Sequence, residues 1–189
     1  MTQTLVDTAA LRAGRRVLVL GAAGGVGHLA VQVAKARGAY VIGTASADKH
    51  DFLRGLGTDE AIDRAADIAK EARDIDVVLD VVLDLVGGTD RLRSLDTLGP
   101  GGVLVSSLPV DFDEVTRRAA ELGVRATNIV VEHERAAMTG IATLAGSGRP
   151  RAHIAGTYPL AEVAKAHMDA EAGGALGKPV LTVRPWGPS

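Results

Sequence analysis

The sequence contains no cysteine, which excludes disulfides, thiolate catalysis and cysteine-ligated zinc. Aromatic residues make up only 3% of the chain, too few for the base-stacking surface of a single-strand nucleic-acid binder. The formal net charge of −2 provides no electrostatic attraction for nucleic acid or an anionic membrane. With 47% hydrophobic and 23% charged residues, the composition is that of an ordinary soluble protein.

Long apolar runs are also absent: none approaches the roughly 20 residues that a membrane-spanning helix needs. The first residues, Met1–Asp7, have neither the basic nor the apolar segment of a secretory signal. We therefore expect a cytoplasmic protein. Its 189 residues fit one domain with a small appendage.

One stretch near the N-terminus is more informative than any other. Four apolar residues (Val17–Leu20) run directly into a glycine cluster (Gly21–Gly27), and an amphipathic segment (His28–Ala36) follows at once. This order predicts a buried strand at 16–20, a tight turn and a helix at 25–37. Such a turn presents backbone N–H groups and the positive end of a helix to a diphosphate. The sequence therefore predicts a nucleotide-cofactor site.

Strand-like and helical segments alternate along the whole chain, which favours a parallel sheet with helices on both faces. Strands are predicted at 16–20, 40–44, 60–63, within 75–84, at 103–106, 125–131, 152–156 and 179–183. Helices are predicted at about 4–12, 25–37, 48–56, 89–97, 112–122, 133–146 and 160–172. The fold class is α/β, a Rossmann-type doubly wound parallel sheet with a short strand–helix–strand tail. We expect a dinucleotide-binding (Rossmann) domain at 1–148 and a C-terminal tail at 149–189, too short to fold alone.

The glycine turn has the pattern Ala22-x-Gly24-x-x-Gly27, with alanine in place of the first glycine of a dinucleotide-binding turn. Gly24 lets the backbone approach a diphosphate, and Gly27 allows close packing of helix on strand. Gly25 and Val26 are expected to donate their N–H groups. The alternative is a glycine-rich turn without a ligand. The predicted diphosphate contacts are Ala23, Gly24, Gly25, Val26 and Gly27.

The end of the second predicted strand distinguishes between the two nicotinamide cofactors. An NAD site usually places a carboxylate there for the ribose 2′-hydroxyl. Here the strand ends in Gly43–Ser46 without a carboxylate, and Lys49 follows. The Ser46 hydroxyl can donate to a 2′-phosphate and the Lys49 ammonium can neutralise it, so we expect NADP rather than NAD. Alternatively, Lys49 is a solvated residue on a helix surface.

Obvious catalytic groups are scarce, and the catalytic residues remain unknown. Asp80 and Asp84 close two tandem Val-Val-Leu-Asp tetrads that predict a lengthened or bulged strand. They share one face of that strand, either as a pair for acid–base work or as strand-end acids. His28 is either a packing or solvent-exposed residue or a neutral group at the helix start that reaches a ligand with a hydrogen bond. The other histidines lack metal-ligand spacing, and no metal site is expected.

Segments throughout the chain resemble one family, the zinc-free quinone oxidoreductase branch of the medium-chain dehydrogenase/reductases. They are Gly21–His28, Gln32–Lys35, Gly43–Ser46, Gly57–Asp63, Val82–Gly88, Leu98–Ser106, Tyr158–Val163 and Gly177–Val183. The resemblance implies reduction of quinones, enones or other activated alkenes by NADPH. It implies that Thr44, Ser46 and Lys49 face the adenosine 2′-phosphate and that Val86 and Gly87 lie by the nicotinamide-side ribose. Ser106, Ser107 and Leu108 are then expected to line the nicotinamide.

The sequence departs from this family at its beginning, because it has no counterpart to the GroES-like barrel that supplies most of the substrate pocket. We therefore expect a truncated member whose tail packs on the nucleotide domain, on a partner or on a second copy. The predicted strand at 125–131 is a candidate edge for pairing in a homodimer. A separate barrel-containing chain is the alternative partner.

The leading hypothesis is an NADPH-dependent oxidoreductase that transfers a hydride to a quinone, an enone or a similar activated small molecule. Such chemistry belongs to the cofactor and needs no obvious base from the protein. One alternative is a non-redox enzyme, a cyclase or isomerase that reuses the nucleotide cleft with Asp80, Asp84 or a histidine as acid or base. The other is a non-catalytic NADP-binding module.

Overall fold

The computed structural model describes residues 11–75, 77–129, 135–146, 148 and 150–183. Its main feature is a parallel sheet of six strands in the order β3-β2-β1-β4-β5-β6. These strands are β1 (Arg16–Leu20), β2 (Tyr40–Ala45), β3 (Glu60–Asp63), β4 (Leu79–Asp84), β5 (Leu98–Ser106) and β6 (Arg125–Asn128). The strand order reverses between β1 and β4, and in such sheets ligands bind beyond the carboxyl ends of the strands at that point. The predicted Rossmann-type fold is confirmed.

The connections between these strands are helical. They are α1 (Gly27–Ala36), α2 (His50–Leu56), α3 (Ile68–Asp74), α4 (Gly88–Ser94), α5 (Phe112–Leu122) and, after β6, α6 (Arg135–Gly146). None of the helices in the described part of the chain combines the length and apolar character needed to cross a bilayer.

The strand β1 shows why the sequence folds into layers. Successive side chains of a strand point to opposite faces, so Val17 and Val19 join one buried cluster with α1, whereas Leu18 and Leu20 join the other with α5. All four side chains are at most 1% exposed. Burial on both faces explains the uninterrupted apolar run, which is typical of parallel strands covered by helices.

The helix α3 was not predicted from the sequence. Its apolar residues Ile68, Ala69 and Ala72 have helical spacing and are buried, but two of them are small, so the pattern is weak. A local signal was available, because the Asp67 carboxylate accepts a hydrogen bond from the Lys70 amide at 3.1 Å. An aspartate in this position is a usual N-cap of a helix.

The pairing of β4 with β5 is irregular beside the tandem tetrads, and the extra residues lie in β5. Leu79 pairs with Leu98 and Val81 with Val103, so residues 99–102 of β5 oppose Asp80 alone. The strand β5 therefore begins earlier than the predicted 103–106, and β4 is an ordinary strand of six residues rather than a lengthened one. The predicted helix at 4–12 lies almost wholly outside the described residues, as do the end of the strand at 125–131 and the start of the helix at 133–146.

The tail forms a small parallel sheet of its own, with β7 (Ile154–Pro159) and β8 (Lys178–Thr182) joined through α7 (Val163–Glu171). It docks on α1 and the glycine turn. The Gln32 side-chain amide donates to the Arg151 carbonyl at 2.9 Å and accepts from the Arg151 amide at 2.8 Å. The Gly177 amide donates to the Ala23 carbonyl at 2.9 Å. The division of the chain at residue 148 stays a prediction.

Candidate functional site

A cleft of about 620 Å³ lies beyond the carboxyl ends of the main sheet, where the strand order reverses. Most of the predicted cofactor-binding residues line it: Ala23, Gly24, Gly25, Val26, Gly27, Thr44, Ser46, Lys49, Val86, Ser107 and Leu108. Gly87 and Ser106 are not among the residues that line it. The cleft also contains residues that were not predicted, among them Arg64, Asp90, Gly173, Gly174 and Lys178.

The glycine turn closes so tightly that two of its positions require glycine. A Cβ at Gly27 would lie 2.2 Å from the Gly21 carbonyl oxygen, and one at Gly21 would lie 2.7 Å from the Val86 side chain. Gly21 also has a φ of +74°, a conformation that other residues rarely adopt. The amides of Gly25 and Val26 donate to no acceptor in the described part of the chain. They are two free donors at the start of α1, where the helix dipole is positive.

The side chain of Lys178, from the start of β8, extends to this turn. A Cβ placed on Gly25 would lie 3.1 Å from the Lys178 Cδ and 3.7 Å from its Nζ. The Lys178 amide donates to the His153 carbonyl at 2.8 Å, which ties the beginning of β8 to the segment before β7. The tail thus brings an ammonium group close to Gly25, one of the two residues with free amides, an arrangement suited to an anion.

A second positive region lies at the end of β2. Ser46, Lys49 and Arg64 line the cleft there, and the Arg64 amide donates to the Ala45 carbonyl at 2.9 Å. Asp48 stands beside them, exposed. The hydrogen bond from the Ser46 hydroxyl, helped by the charges of Lys49 and Arg64, holds the pKa of the Asp48 carboxyl below its usual range. This end of the cleft therefore contains two cations, a hydroxyl and one ionised carboxylate.

Thr44 holds the glycine turn through two hydrogen bonds. It is 4% exposed, and its hydroxyl oxygen accepts a hydrogen bond from the Gly21 amide at 3.1 Å. Its carbonyl accepts from the Ala22 amide at 3.0 Å. Thr44 borders the cleft but its hydroxyl is engaged in the fold, so its assignment to a 2′-phosphate stays a prediction.

At the opposite end of the cleft, the buried carboxylate of Asp84 organises the backbone. One oxygen accepts from the amides of Val86 at 3.0 Å and Gly87 at 2.8 Å, and the other accepts from the Ser106 hydroxyl at 2.6 Å. The Ser106 hydroxyl oxygen in turn accepts from the Leu108 amide at 3.1 Å. Ser106 and Gly87 therefore shape the loops, and their neighbours face the cleft.

Asp80 does not share this site. Its carboxylate accepts from the Arg16 amide at 2.8 Å and pairs with the Arg15 guanidinium at the other end of the sheet. Four residues of strand separate it from Asp84 by roughly 13 Å. The interpretation of these two aspartates as an acid–base pair is therefore wrong.

His28 is fully buried behind the turn and joins it to the tail. Its Nδ1 lies 2.8 Å from the Gly24 carbonyl oxygen, and its Nε2 lies 3.1 Å from the His153 amide nitrogen. A carbonyl can only accept and an amide N–H can only donate, so the ring is the neutral Nδ1–H tautomer. His28 does not line the cleft, so of its two interpretations the packing residue is the one observed, with both ring nitrogens bonded within the fold.

Comparison with known proteins identifies the family. The family model described as zinc-binding dehydrogenase matches residues 56–181. The chain belongs to this family. It is 33% identical to the mitochondrial NAD(P)H oxidoreductase RTN4IP1 of Mus musculus, over 90% of this chain and 48% of that protein. The resemblance to the medium-chain dehydrogenase/reductases is confirmed.

Solved structures of similar proteins support the same assignment for this family member. It superposes on the quinone oxidoreductase of Coxiella burnetii with a TM-score of 0.88 and 33% identity, over 95% of this chain and 56% of that one. A mycobacterial protein solved with NADPH gives a TM-score of 0.84 and 28% identity, over 95% of this chain and 60% of that one. The chain spans about half the length of the curated relatives it matches.

The residues of this family member do not fit a zinc site, despite the family's description. The chain has no cysteine, and its described residues contain no group of three or more histidine, aspartate or glutamate side chains placed to hold a metal. They do fit a dinucleotide, because the cleft joins two free helix-start amides to a cation and a second positive region.

Sequence reasoning missed Lys178 and Arg64 in this family member for one reason. Each reaches the cleft through a distant contact, Lys178 through docking of the tail and Arg64 through pairing of β3 with β2. For Arg64 a signal existed, because residues that follow neighbouring parallel strands meet at one edge of the sheet. For Lys178 the sequence contained no comparable indication.

Proposed function

We propose that the chain binds NADPH and serves as an oxidoreductase that transfers a hydride to a quinone, an enone or a similar activated small molecule. The observation that carries this proposal is the pair of free amides of Gly25 and Val26 together with the Lys178 side chain, which lies against Gly25. The names of similar proteins, an NAD(P)H oxidoreductase and a quinone oxidoreductase, support it.

The diphosphate is proposed to bind at the start of α1. The Gly25 and Val26 amides are proposed to donate to its oxygens, the helix dipole favours its charge, and the Lys178 ammonium lies close to Gly25. The absence of an acidic side chain from the first turn of α1 removes a source of repulsion. Gly24 and Ala23 complete this wall of the cleft.

NADP is proposed over NAD because of the region around the end of β2. Lys49 and Arg64 supply two positive charges for a 2′-phosphate, and we propose that the Ser46 hydroxyl, which donates to Asp48 in the free protein, donates to the phosphate when the cofactor is bound. The ionised Asp48 carboxylate opposes a phosphate, but it is exposed and the two cations outnumber it. We therefore expect a preference for NADP of moderate size.

The nicotinamide is proposed to lie between the loops after β4 and β5, against Val86, Ser107 and Leu108. When bound, the reduced nicotinamide supplies the hydride. The residues of these two loops are proposed to orient the nicotinamide ring through backbone groups and apolar side chains, and to exclude water from one face of that ring. No side chain is proposed as the proton donor.

Assembly and location are part of the proposal. The strand β6 stands at the end of the sheet order, so its outer backbone groups can pair with β6 of a second copy in a homodimer. A separate chain that contains a barrel is the alternative partner for the exposed β7–β8 sheet. A cytoplasmic location is proposed on composition alone.

Binding and turnover measured together test this proposal. Purified chain should bind NADPH more tightly than NADH and should oxidise it with at least one acceptor from a panel of quinones and enones. Arg64→Met should reduce NADPH affinity about fivefold and leave NADH affinity unchanged, because an exposed cation–phosphate pair contributes about 1 kcal/mol. Arg93→Met is the matched control, since Arg93 is exposed and lies outside the cleft.

The other outcomes distinguish the alternatives. NADPH binding without turnover on the whole panel supports a binding module. Catalysis of a cyclisation or isomerisation after all nucleotide is removed supports a non-redox enzyme. Absence of binding to either reduced nicotinamide contradicts the proposal.

A further inference from the structure

Arg91, on α4, is almost completely buried although it is charged: only 3% of its surface is exposed. Its Nη1 donates to the Leu108 carbonyl at 3.0 Å and its Nη2 to the Val110 carbonyl at 2.6 Å. The Asp111 carbonyl lies 3.4 Å from the same Nη2, and the guanidinium carbon lies 5.7 Å from the centre of the Phe112 ring. The loop after β5 therefore wraps around one guanidinium.

The same guanidinium faces the carboxylate that holds the other loop. Arg91 Nη1 lies 3.8 Å from Asp84 Oδ2, and both side chains are buried. Asp84 in turn accepts hydrogen bonds from the Val86 and Gly87 amides in the loop after β4. A single buried charge pair thus connects the two loops that border one end of the cleft.

These two loops also contact each other across the cleft edge. A Cβ placed on Gly87 would lie 3.3 Å from the Leu108 Cδ1 atom, so the loops approach closely. Gly87 has a φ of +77°, and Asp111 is the one non-glycine residue with a positive φ in the described part of the chain. A residue other than glycine rarely adopts this conformation, and Asp111 adopts it in the segment whose carbonyls lie around the Arg91 guanidinium.

We propose that Arg91 is a positioning residue for the nicotinamide half of the cofactor, an inference that rests on the function proposed above. It does not touch the cleft. It acts through the loops, fixing Val86 on one side and Leu108 on the other, both of which line the cleft. A guanidinium suits this task because its planar fork reaches separate carbonyls, which an ammonium group cannot do to the same extent.

Stability alone does not explain such a pair. Removing two charges from water costs about as much as their attraction returns, so buried ion pairs are weak evidence of stabilisation. The pair does supply fixed geometry, since the guanidinium and the carboxylate together hold four backbone groups of the two loops through hydrogen bonds shorter than 3.1 Å. All four backbone groups belong to the loops after β4 and β5, which border the end of the cleft where the nicotinamide is proposed to lie.

The test compares a whole cofactor with a fragment that lacks the nicotinamide. In Arg91→Met, the Kd for NADPH should rise about tenfold, the loss of roughly one charge-assisted contact, while the Kd for adenosine 2′,5′-bisphosphate should change less than twofold. The Kd for NADPH of Arg91→Lys should lie between those of wild type and Arg91→Met, because lysine keeps the charge and loses the planar fork of the guanidinium. Arg93→Met, the same change on the exposed side of α4, should leave both constants unchanged.

A second measurement needs no ligand. Hydrogen exchange at the Val86, Gly87 and Leu108 amides should be at least tenfold faster in Arg91→Met or Arg91→Lys than in Arg93→Met, and exchange in β1 should be unchanged. Equal weakening of NADPH and the bisphosphate, or unchanged exchange at these amides in a folded variant, overturns the inference. If wild-type protein binds the bisphosphate but not NADPH, the positioning role and the oxidoreductase both fail. If Arg91→Met does not fold, Arg91→Lys provides both measurements.

Discussion

Replacing Lys178 by methionine isolates the tail's contribution to the proposed diphosphate site. The substitution keeps the length of the side chain and removes the ammonium, which lies 3.7 Å from the Cβ position on Gly25. Because the aliphatic part of the side chain packs against the turn, methionine preserves that contact. The fold is therefore expected to be unaffected.

The expected loss in affinity is about fivefold. Hydrogen bonds to charged groups contribute about 1.5–3 kcal/mol. Lys178 is exposed, so screening by solvent and salt reduces its contribution to about 1 kcal/mol, as for Arg64. The loss should shrink as salt rises, because the Debye length falls from about 10 Å at 0.1 M to about 3 Å at 1 M.

Fluorescence titration with NADPH at low and high salt measures this effect. Lys165→Met is the matched control, because Lys165 also belongs to the exposed tail but pairs with Asp169 at 2.6 Å, away from the cleft. The reasoning is refuted if Lys178→Met binds NADPH as tightly as wild type at low salt. It is also refuted if Lys165→Met loses as much affinity.

Three further predictions concern the glycine turn, the positive region at the end of β2 and the contact between His28 and the tail. Gly27→Ala should abolish NADPH binding and lower the melting temperature, because its Cβ would lie 2.2 Å from the Gly21 carbonyl oxygen; binding that persists at wild-type affinity contradicts this. Asp48→Asn should raise the affinity for NADPH about twofold and leave the affinity for NADH unchanged. The lowered pKa keeps this exposed carboxylate charged at neutral pH, where it repels a phosphate. Calorimetry with both cofactors measures the two affinities. His28→Ala should lower the melting temperature by about 6–12 °C, because losing the fully buried ring and its two part-buried hydrogen bonds costs about 3 kcal/mol in total. His167 is exposed, so His167→Ala should have the melting temperature of wild type. Equal melting temperatures for His28→Ala and His167→Ala contradict this prediction.

Local patterns predicted the strand, turn and helix from β1 to α1, because each of their signals lies within about twenty adjacent residues. The apolar run, the glycines at 21 and 27 and the helical spacing are adjacent in the sequence and in the structure. The lack of a carboxylate at the end of β2 could likewise be read from the sequence. Fold class followed from the alternation of such units.

Contacts between distant segments could not be predicted in this way. Asp80 and Asp84 have the same sequence context but lie at opposite ends of β4, one with Arg15 and the other with Arg91. Which end of a strand faces a ligand depends on the direction of the whole sheet. Lys178 likewise reaches the turn only because the tail docks on α1.

The central claim is that backbone amides at the start of α1 bind the diphosphate of a nicotinamide dinucleotide. The most direct test is to follow the Gly25 and Val26 amide resonances of isotope-labelled protein during titration with NADPH. We expect both to shift in a saturable manner, together with resonances from Lys49 and Arg64 at the other positive region. If these two amides stay unchanged at saturating NADPH, the claim is contradicted.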